Sequence, residues 1–180
     1  MPHTFAIGLL GLGAALTLGG SALQGKPKPV RVEERTFLQD AALDDMLEVR
    51  LGELALQRTE RPDVAHLAKQ LVAEHAEEGA ALAQLAKKKG VALPPNLDPA
   101  RQAVLDRLGE LHGEAFDRGY VVSMWSDHKH DVGEFETEKD ATGGDAEVRR
   151  FATDVLAVLR RQLVIVTAIH VKMISETKTY

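Results

Sequence analysis

Four polar residues interrupt the apolar faces of four long helical segments in the sequence. They are Glu48, His75, His128 and Gln162, and each lies near the middle of its segment. In helices of similar length packed side by side, midpoints share one height, so these side chains should face one another across the core. Burying such groups is costly unless they pair with each other or bind something. We therefore predict a polar layer in the core of the fold.

One interpretation of this layer is a metal site. Imidazoles and carboxylates on facing helices are the donors that helical proteins use to hold transition metal ions. Two further acids lie three residues after the histidines and so share their helical faces. The candidate metal ligands are His75, His128, Glu48, Glu78 and Asp131, and the cofactor would be a transition metal ion.

The other interpretation is a hydrogen-bonded network that fixes the register of the helices, with Glu48 and Gln162 orienting the two imidazoles. The usual di-metal arrangement places a glutamate three residues before each histidine. Here Val72 and Trp125 occupy those positions. This departure favours the network over the metal site.

Several other chemistries are excluded or find no support. The chain has no cysteine, which excludes disulfides, thiolate catalysis and iron–sulfur clusters. There is no glycine-rich phosphate loop and no nucleophile elbow, so we predict no catalytic residues. The net charge is -5, with lysine and arginine scattered among the acids, and nucleic-acid binding is not predicted.

The elements that must position the polar layer are helices. Apolar residues recur at helical spacing over four long segments, with a shorter helix before the third; the predicted ranges are 36–59, 62–89, 99–111, 114–139 and 145–174. Proline and glycine separate them, and the short connections imply antiparallel neighbours. The predicted fold is all-α, an antiparallel four-helix bundle with an extra short helix before the third long one.

The N-terminus indicates export. Residues 5–23 are apolar, uncharged and end in small residues, which is typical of a secretory signal peptide. The residues before them contain no lysine or arginine, so a retained membrane anchor is the alternative. We predict a signal peptide or N-terminal anchor over 1–23, a proline-containing linker over 24–35 and the helical domain over 36–176. The protein would be periplasmic or in the cell envelope, or membrane-associated through the uncleaved segment.

Short motifs also resemble a known family. They are EVRLGELA at 48–55, LVAEH at 71–75, LP at 93–94, FDRGY at 116–120 and DH at 127–128. Their order and spacing resemble the domain of unknown function 4142 family over about 36–173. The resemblance implies a ferritin-like four-helix bundle in mostly bacterial, exported proteins without an established activity. His75 and His128 match the family's recurrent histidines, whereas Gln162 stands where a histidine is usual. Because an amide is a poor transition-metal ligand, this difference again favours the network.

Three hypotheses about function remain open. The first is a non-enzymatic, exported protein of the cell envelope with a role in stress tolerance or protein interaction. The second is a ferritin-like metal-binding or redox protein that uses the histidines and acids of the polar layer. The third is a membrane-tethered interaction module. The sequence does not identify a protein partner.

Overall fold

The computed structural model describes residues 30–177, with only the backbone at Thr177, and this part of the chain is all-α as predicted. Its helices are α1 (Val32–Arg58), α2 (Pro62–Lys89), α3 (Pro99–Gly109), α4 (Gly113–Asp140) and α5 (Ala146–Thr177). The predicted signal peptide or anchor at 1–23 lies outside the described residues, as does the first half of the linker, residues 24–29. None of the described helices combines the length and apolar character that crossing a membrane requires.

The helix ends follow local sequence signals. Pro62 begins α2, and Gly90 ends it in the left-handed conformation with φ 68°, which glycine adopts without strain. Asp98 caps α3 by accepting a hydrogen bond from the Arg101 backbone N–H at 2.8 Å. These boundaries agree with the sequence prediction.

The start of α1 differs from the prediction, because the helix begins at Val32 and includes the last residues assigned to the linker. The Arg31 backbone N–H donates to Glu34 Oε2 at 2.8 Å, which satisfies a group that would otherwise lack a partner. Glu33 and Glu34 also lie in the first turn, where negative charge stabilises the helix dipole. These local interactions extend the helix beyond the region marked by apolar periodicity.

Each long helix runs opposite to the long helices it contacts. Lys89 at the end of α2 binds Asp145 just before α5 at 2.7 Å, and Arg61 just before α2 binds Glu176 near the end of α5 at 2.8 Å. Helices α1 and α4 show the same reversal in the contacts Phe37–Phe135 and Glu48–His128. Helices α1 and α2 show it in Asp45–His75 and Gly52–Val72. Helices α4 and α5 show it in Phe135–Phe151 and Trp125–His170.

The apolar core consists of two clusters. One contains Leu51, Leu71, Met124 and Val166, and the other contains Phe37, Leu82, Phe135 and Leu159. Along α2, α4 and α5, the residues His75, His128 and Gln162 fall between the two clusters. The polar residues therefore occupy a level of the core that is closed above and below by apolar packing.

Close packing of α1 on α2 depends on Gly52. A Cβ atom at this position would lie 2.5 Å from Val72 Cγ2 and 3.3 Å from the carbonyl oxygen of Ala68. Val72 is β-branched and has little freedom to move away. The glycine therefore brings the two backbones together one turn from Glu48.

We expect Gly52→Ala to lower the free energy of unfolding by about 1–3 kcal/mol, because overpacking outweighs the gain in helix propensity. Chemical denaturation measures the change. The matched control is Gly133→Ala in α4, where a Cβ meets nothing within 4 Å. The control should raise the free energy of unfolding by about 0.5–1 kcal/mol. An equal increase in the free energy of unfolding for both variants would contradict close packing at Gly52.

Candidate functional site

Three of the predicted polar residues come together in the core, each from a different helix. Glu48 of α1 places Oε2 at 2.5 Å from Nε2 of His75 in α2, and Oε1 at 3.4 Å from Nδ1 of His128 in α4. The two imidazole rings meet edge to face, with centroids 5.6 Å apart and planes at 84°. No more than 3% of any of the three residues is exposed. We call Glu48, His75 and His128 the inner cluster.

The Nδ1 atom of each imidazole makes one hydrogen bond. Nδ1 of His128 donates to the backbone oxygen of Met124 at 2.8 Å, one turn earlier in α4. Nδ1 of His75 donates to Oδ1 of Asp45 at 2.9 Å, since an ionised carboxylate only accepts. A carbonyl or carboxylate behind the ring is how proteins orient histidines that bind metal through the other nitrogen.

Several side-chain atoms of the inner cluster lack a hydrogen-bond partner. Within the described residues, both carboxylate oxygens of Glu48 and the Nε2 atoms of His75 and His128 are buried without a hydrogen-bond partner. Glu48 and His75 approach closely, but without the directional geometry of a hydrogen bond. One donor atom from each residue lies within 4.8 Å of the others. Small side-chain movements would bring such donors onto one ion at roughly 2.0–2.2 Å.

Glu48 and His75 form a buried pair of opposite charges. Burial alone would raise the pKa of Glu48, but the positive charges of His128 and His75 outweigh it, and the pKa is lowered. Burial alone would lower the pKa of His75, but Glu48 and Asp45 hold it well above its ordinary value. The carboxylate is therefore ionised and the imidazole is protonated in the ion-free protein.

Additional acids give the surroundings an excess of carboxyl groups. Burial raises the pKa of Asp45 to about 6 and that of Glu78 to about 8. Burial also raises the pKa of Asp131 well above its ordinary value, and the charge of Glu48 adds to the increase. Burial is the largest cause of each shift, so these acids stay uncharged to a higher pH than free carboxyl groups. A bound cation would favour their ionised forms.

Glu78 lies beside His75, but on the side of the ring away from Glu48. Its Oε2 is 3.9 Å from Nδ1 of His75. Asp45, His75 and Glu78 form a second group, with one donor atom from each within 4.8 Å of the others. We call it the outer cluster. The imidazole ring of His75 therefore lies between Glu78 and Glu48. The spacing of these residues in the sequence had placed them in one metal site.

Asp131 and Gln162 do not contact the histidines as the polar layer implied. Asp131 is buried one turn after His128, and the structure records no ion pair between it and either histidine in residues 30–177. Gln162 is fully buried, but its amide donates to Oε2 of Glu74 at 2.8 Å. The amide reaches this carboxylate because Glu74 lies at the contact of α2 with α5. The backbone of Met124 and the carboxylate of Asp45 therefore orient the imidazoles in place of Gln162.

Sequence reasoning missed Asp45. The neighbouring Asp44 binds the Arg101 guanidinium at 2.6 Å between α1 and α3. Asp45 is the residue that enters the core. A signal was present, because Asp45 precedes Glu48 by three residues and so shares its helical face.

Comparison with known proteins identifies both a sequence family and similar folds. The profile of the domain of unknown function DUF4142 matches residues 20–169. No curated protein matches the chain significantly. A DUF305 fragment from Deinococcus radiodurans has a similar structure, with a TM-score of 0.71 and 18% identity, over 81% of this chain and 99% of that one.

Two further solved structures are similar to this chain in fold. CopM in the Cu(II)-bound form matches with a TM-score of 0.65 and 16% identity, over 77% of this chain and 96% of that one. A DUF305 protein from Streptomyces coelicolor matches with a TM-score of 0.65 and 16% identity, over 78% and 92% of the respective chains. At this level of identity the similarity concerns the fold.

Replacing His75 by alanine tests the buried charge pair. In chelator-treated protein, we expect His75→Ala to lower the free energy of unfolding by about 3–5 kcal/mol, since Asp45 and Glu48 lose their positive partner in the core. Urea denaturation gives the value. His130→Ala is the control because the His130 side chain is 67% exposed, and it should change stability by no more than about 0.5 kcal/mol. A loss at His75 no larger than this would exclude a strong buried pair.

Proposed function

Since the chain belongs to the family of domain of unknown function DUF4142, we propose that it is an exported, non-enzymatic protein that binds a transition metal ion through Glu48, His75 and His128. One observation carries the proposal. Four of their nitrogen and oxygen atoms are buried without a hydrogen-bond partner in the described part of the chain, and one donor atom from each residue lies within 4.8 Å of the others. Buried polar atoms normally have partners, and one cation would satisfy all three side chains at once.

The donor set indicates the kind of ion. Two imidazole nitrogens and a carboxylate suit zinc, copper, iron and nickel better than magnesium or calcium, which prefer oxygen ligands. Among divalent first-row ions, copper generally binds such sites most tightly. The Cu(II)-bound CopM structure shows that a similar fold accompanies copper binding in another protein. We therefore propose Cu(II) as the first ion to test.

Two predicted acids have different roles in this proposal. Asp131, one turn after His128 and within the electrostatic influence of Glu48, is the candidate for an additional oxygen ligand. Glu78 faces Nδ1 of His75 and cannot join Glu48 around an ion on Nε2 of the same ring. The inner site would therefore draw its ligands from α1, α2 and α4.

We also propose that the fold is an antiparallel, ferritin-like four-helix bundle formed by α1, α2, α4 and α5. The support is the opposite direction of each contacting pair, together with the two apolar clusters shared by these helices. Midpoints of the four helices then lie at one level. Such a fold brings residues distant in sequence to one buried site.

Export is proposed from the apolar segment at 5–23 and the proline-containing residues after it. The periplasm or cell envelope is the proposed location, and an uncleaved membrane anchor is the alternative. Mass spectrometry of the N-terminus of the protein from its native host distinguishes them. A chain that begins near residue 23 supports cleavage, whereas a chain that retains 5–23 supports the anchor.

Metal content is the direct test of the proposed function. Protein purified without chelator or affinity tag should contain about one transition metal ion per chain by elemental mass spectrometry, and added Cu(II) should raise Tm of the ion-free protein. The His75→Ala, His128→Ala double variant should lose both effects.

The matched control is His66→Ala, His130→Ala, which also removes two imidazoles but from exposed positions. It should bind Cu(II) with unchanged stoichiometry. A metal-free protein whose melting is unaffected by Cu(II), Zn(II), Fe(II) or Mn(II) would leave the inner cluster as a structural network.

A further inference from the structure

Burial of the inner cluster raises the question of how an ion reaches it. Glu48 and His75 are 1% and 3% exposed, and His128 is fully buried. A groove between α1 and α2, with a volume of about 450 Å³, leads from the surface to Asp45 and His75. Met46, Gly79 and Leu93 also line it. The groove therefore reaches the imidazole that the inner and outer clusters share.

Two members of the outer cluster, Asp45 and His75, line this groove, whereas Glu78 lines a separate groove between α2 and α5. Oδ1 of Asp45 and Oε2 of Glu78 are 2.9 Å and 3.9 Å from Nδ1 of His75. Asp45 is only 6% exposed, and its second oxygen, Oδ2, has no hydrogen-bond partner within the described residues. A buried carboxylate oxygen without a partner points to a ligand, independently of the grouping of the three side chains.

Gly79 lies beside this buried oxygen and keeps the groove open next to it. A Cβ atom at Gly79 would lie 3.5 Å from Oδ2 of Asp45, so a larger side chain there would cover the carboxylate and narrow the groove. Glycine inside a helix costs roughly 1 kcal/mol relative to alanine. Preserving an open path to Asp45 gives a physical reason for glycine at this position.

We propose that Asp45, Nδ1 of His75 and Glu78 form a second cation site, through which a divalent ion passes from the groove to the inner cluster. This inference rests on the proposed function, because the inner cluster is the destination. The acids would capture the hydrated ion and replace part of its water shell. His75 would then bind the ion through Nε2, on the other side of the same ring.

Sharing one imidazole makes the two sites alternate. A neutral imidazole has a lone pair on one nitrogen and a proton on the other. When the ion is on Nδ1, the proton is on Nε2 and faces Glu48; when the ion is on Nε2, Nδ1–H donates to Asp45. Because the imidazole of the ion-free protein is protonated on both nitrogens, binding of the ion at Nδ1 first releases one proton to water. When the ion moves to Nε2, that nitrogen gives its proton to water and Nδ1 takes one from water, so the ring carries one proton in both ion-bound states. The protein should therefore hold one ion at saturation, although it has two clusters.

Stopped-flow measurements with glycine-buffered Cu(II) test the route, with quenching of Trp125, the only tryptophan, as the signal. Gly79→Val should lower the association and dissociation rates together by roughly tenfold, leaving Kd within about twofold, because a narrowed path slows both directions. Gly133→Val is the matched control, since a Cβ there meets nothing within 4 Å. Its rates should equal those of the unmodified protein.

Glu78→Gln is the second variant, because it keeps the size of the side chain and removes a carboxylate from the outer cluster only. Its association rate should fall roughly fivefold or more, because an amide is a poorer ligand for the incoming ion than a carboxyl group that can ionise on binding it. If Gly79→Val distorts the protein and loses binding altogether, Glu78→Gln decides the outcome alone.

The outcomes separate the two proposals. If the unmodified protein binds Cu(II) and both variants bind it at the same rate, the outer site is overturned and the inner site stands. If the unmodified protein binds no more Cu(II) than the His75→Ala, His128→Ala variant, the proposed function fails, and the route fails with it. Two ions bound at saturation would overturn the alternation through His75.

Discussion

The carboxylate of Glu48, buried between two imidazoles, is the interaction on which the site depends. Burial is the main cause that raises the pKa of Asp131, and the charge of Glu48 is the second. The same two causes raise the pKa of Asp127 to about 7. The charge of Glu48 also holds the pKa of His75 above its ordinary value against the effect of burial. A single charge with so many dependent groups must be placed accurately. A shift of one residue along α1 would turn it about 100° away from both rings.

The packing around the site supplies that accuracy. Gly52 lets α1 approach α2 closely, and the apolar clusters above and below exclude water from the polar level. At the end of α1, Arg58 donates to the backbone oxygens of Gly109 and Leu111 at 2.5 Å and 2.7 Å, which ties the α3–α4 connection to α1. The register of α1 is therefore fixed near its middle by Gly52 and at its end by Arg58. Glu48 lies one turn from Gly52.

Much of this arrangement could be predicted from the sequence, because helical periodicity determines which residues share a face. Glu48, His75 and His128 were found in that way. Helical periodicity could not show whether Asp44 or Asp45 enters the core, because contacts with other helices decide which one does. Arg101 binds Asp44, and His75 binds Asp45. Nor could spacing place Glu78 relative to Glu48, because it does not define how an imidazole ring is turned or which nitrogen faces which helix.

The glutamine in α5 bears on the choice between a metal site and a hydrogen-bonded network. An amide at Gln162 argues against a metal site only if α5 must supply a ligand. In the structure its amide binds Glu74, and the unpartnered donor atoms come from α1, α2 and α4. A network without an ion explains the hydrogen bonds of both Nδ1 atoms and the close pairing of Glu48 with His75, but it leaves Nε2 of His128 buried without a partner, at about 1–3 kcal/mol for a buried group. An ion bound by the three side chains would give this nitrogen a partner and keep the hydrogen bonds of the two Nδ1 atoms.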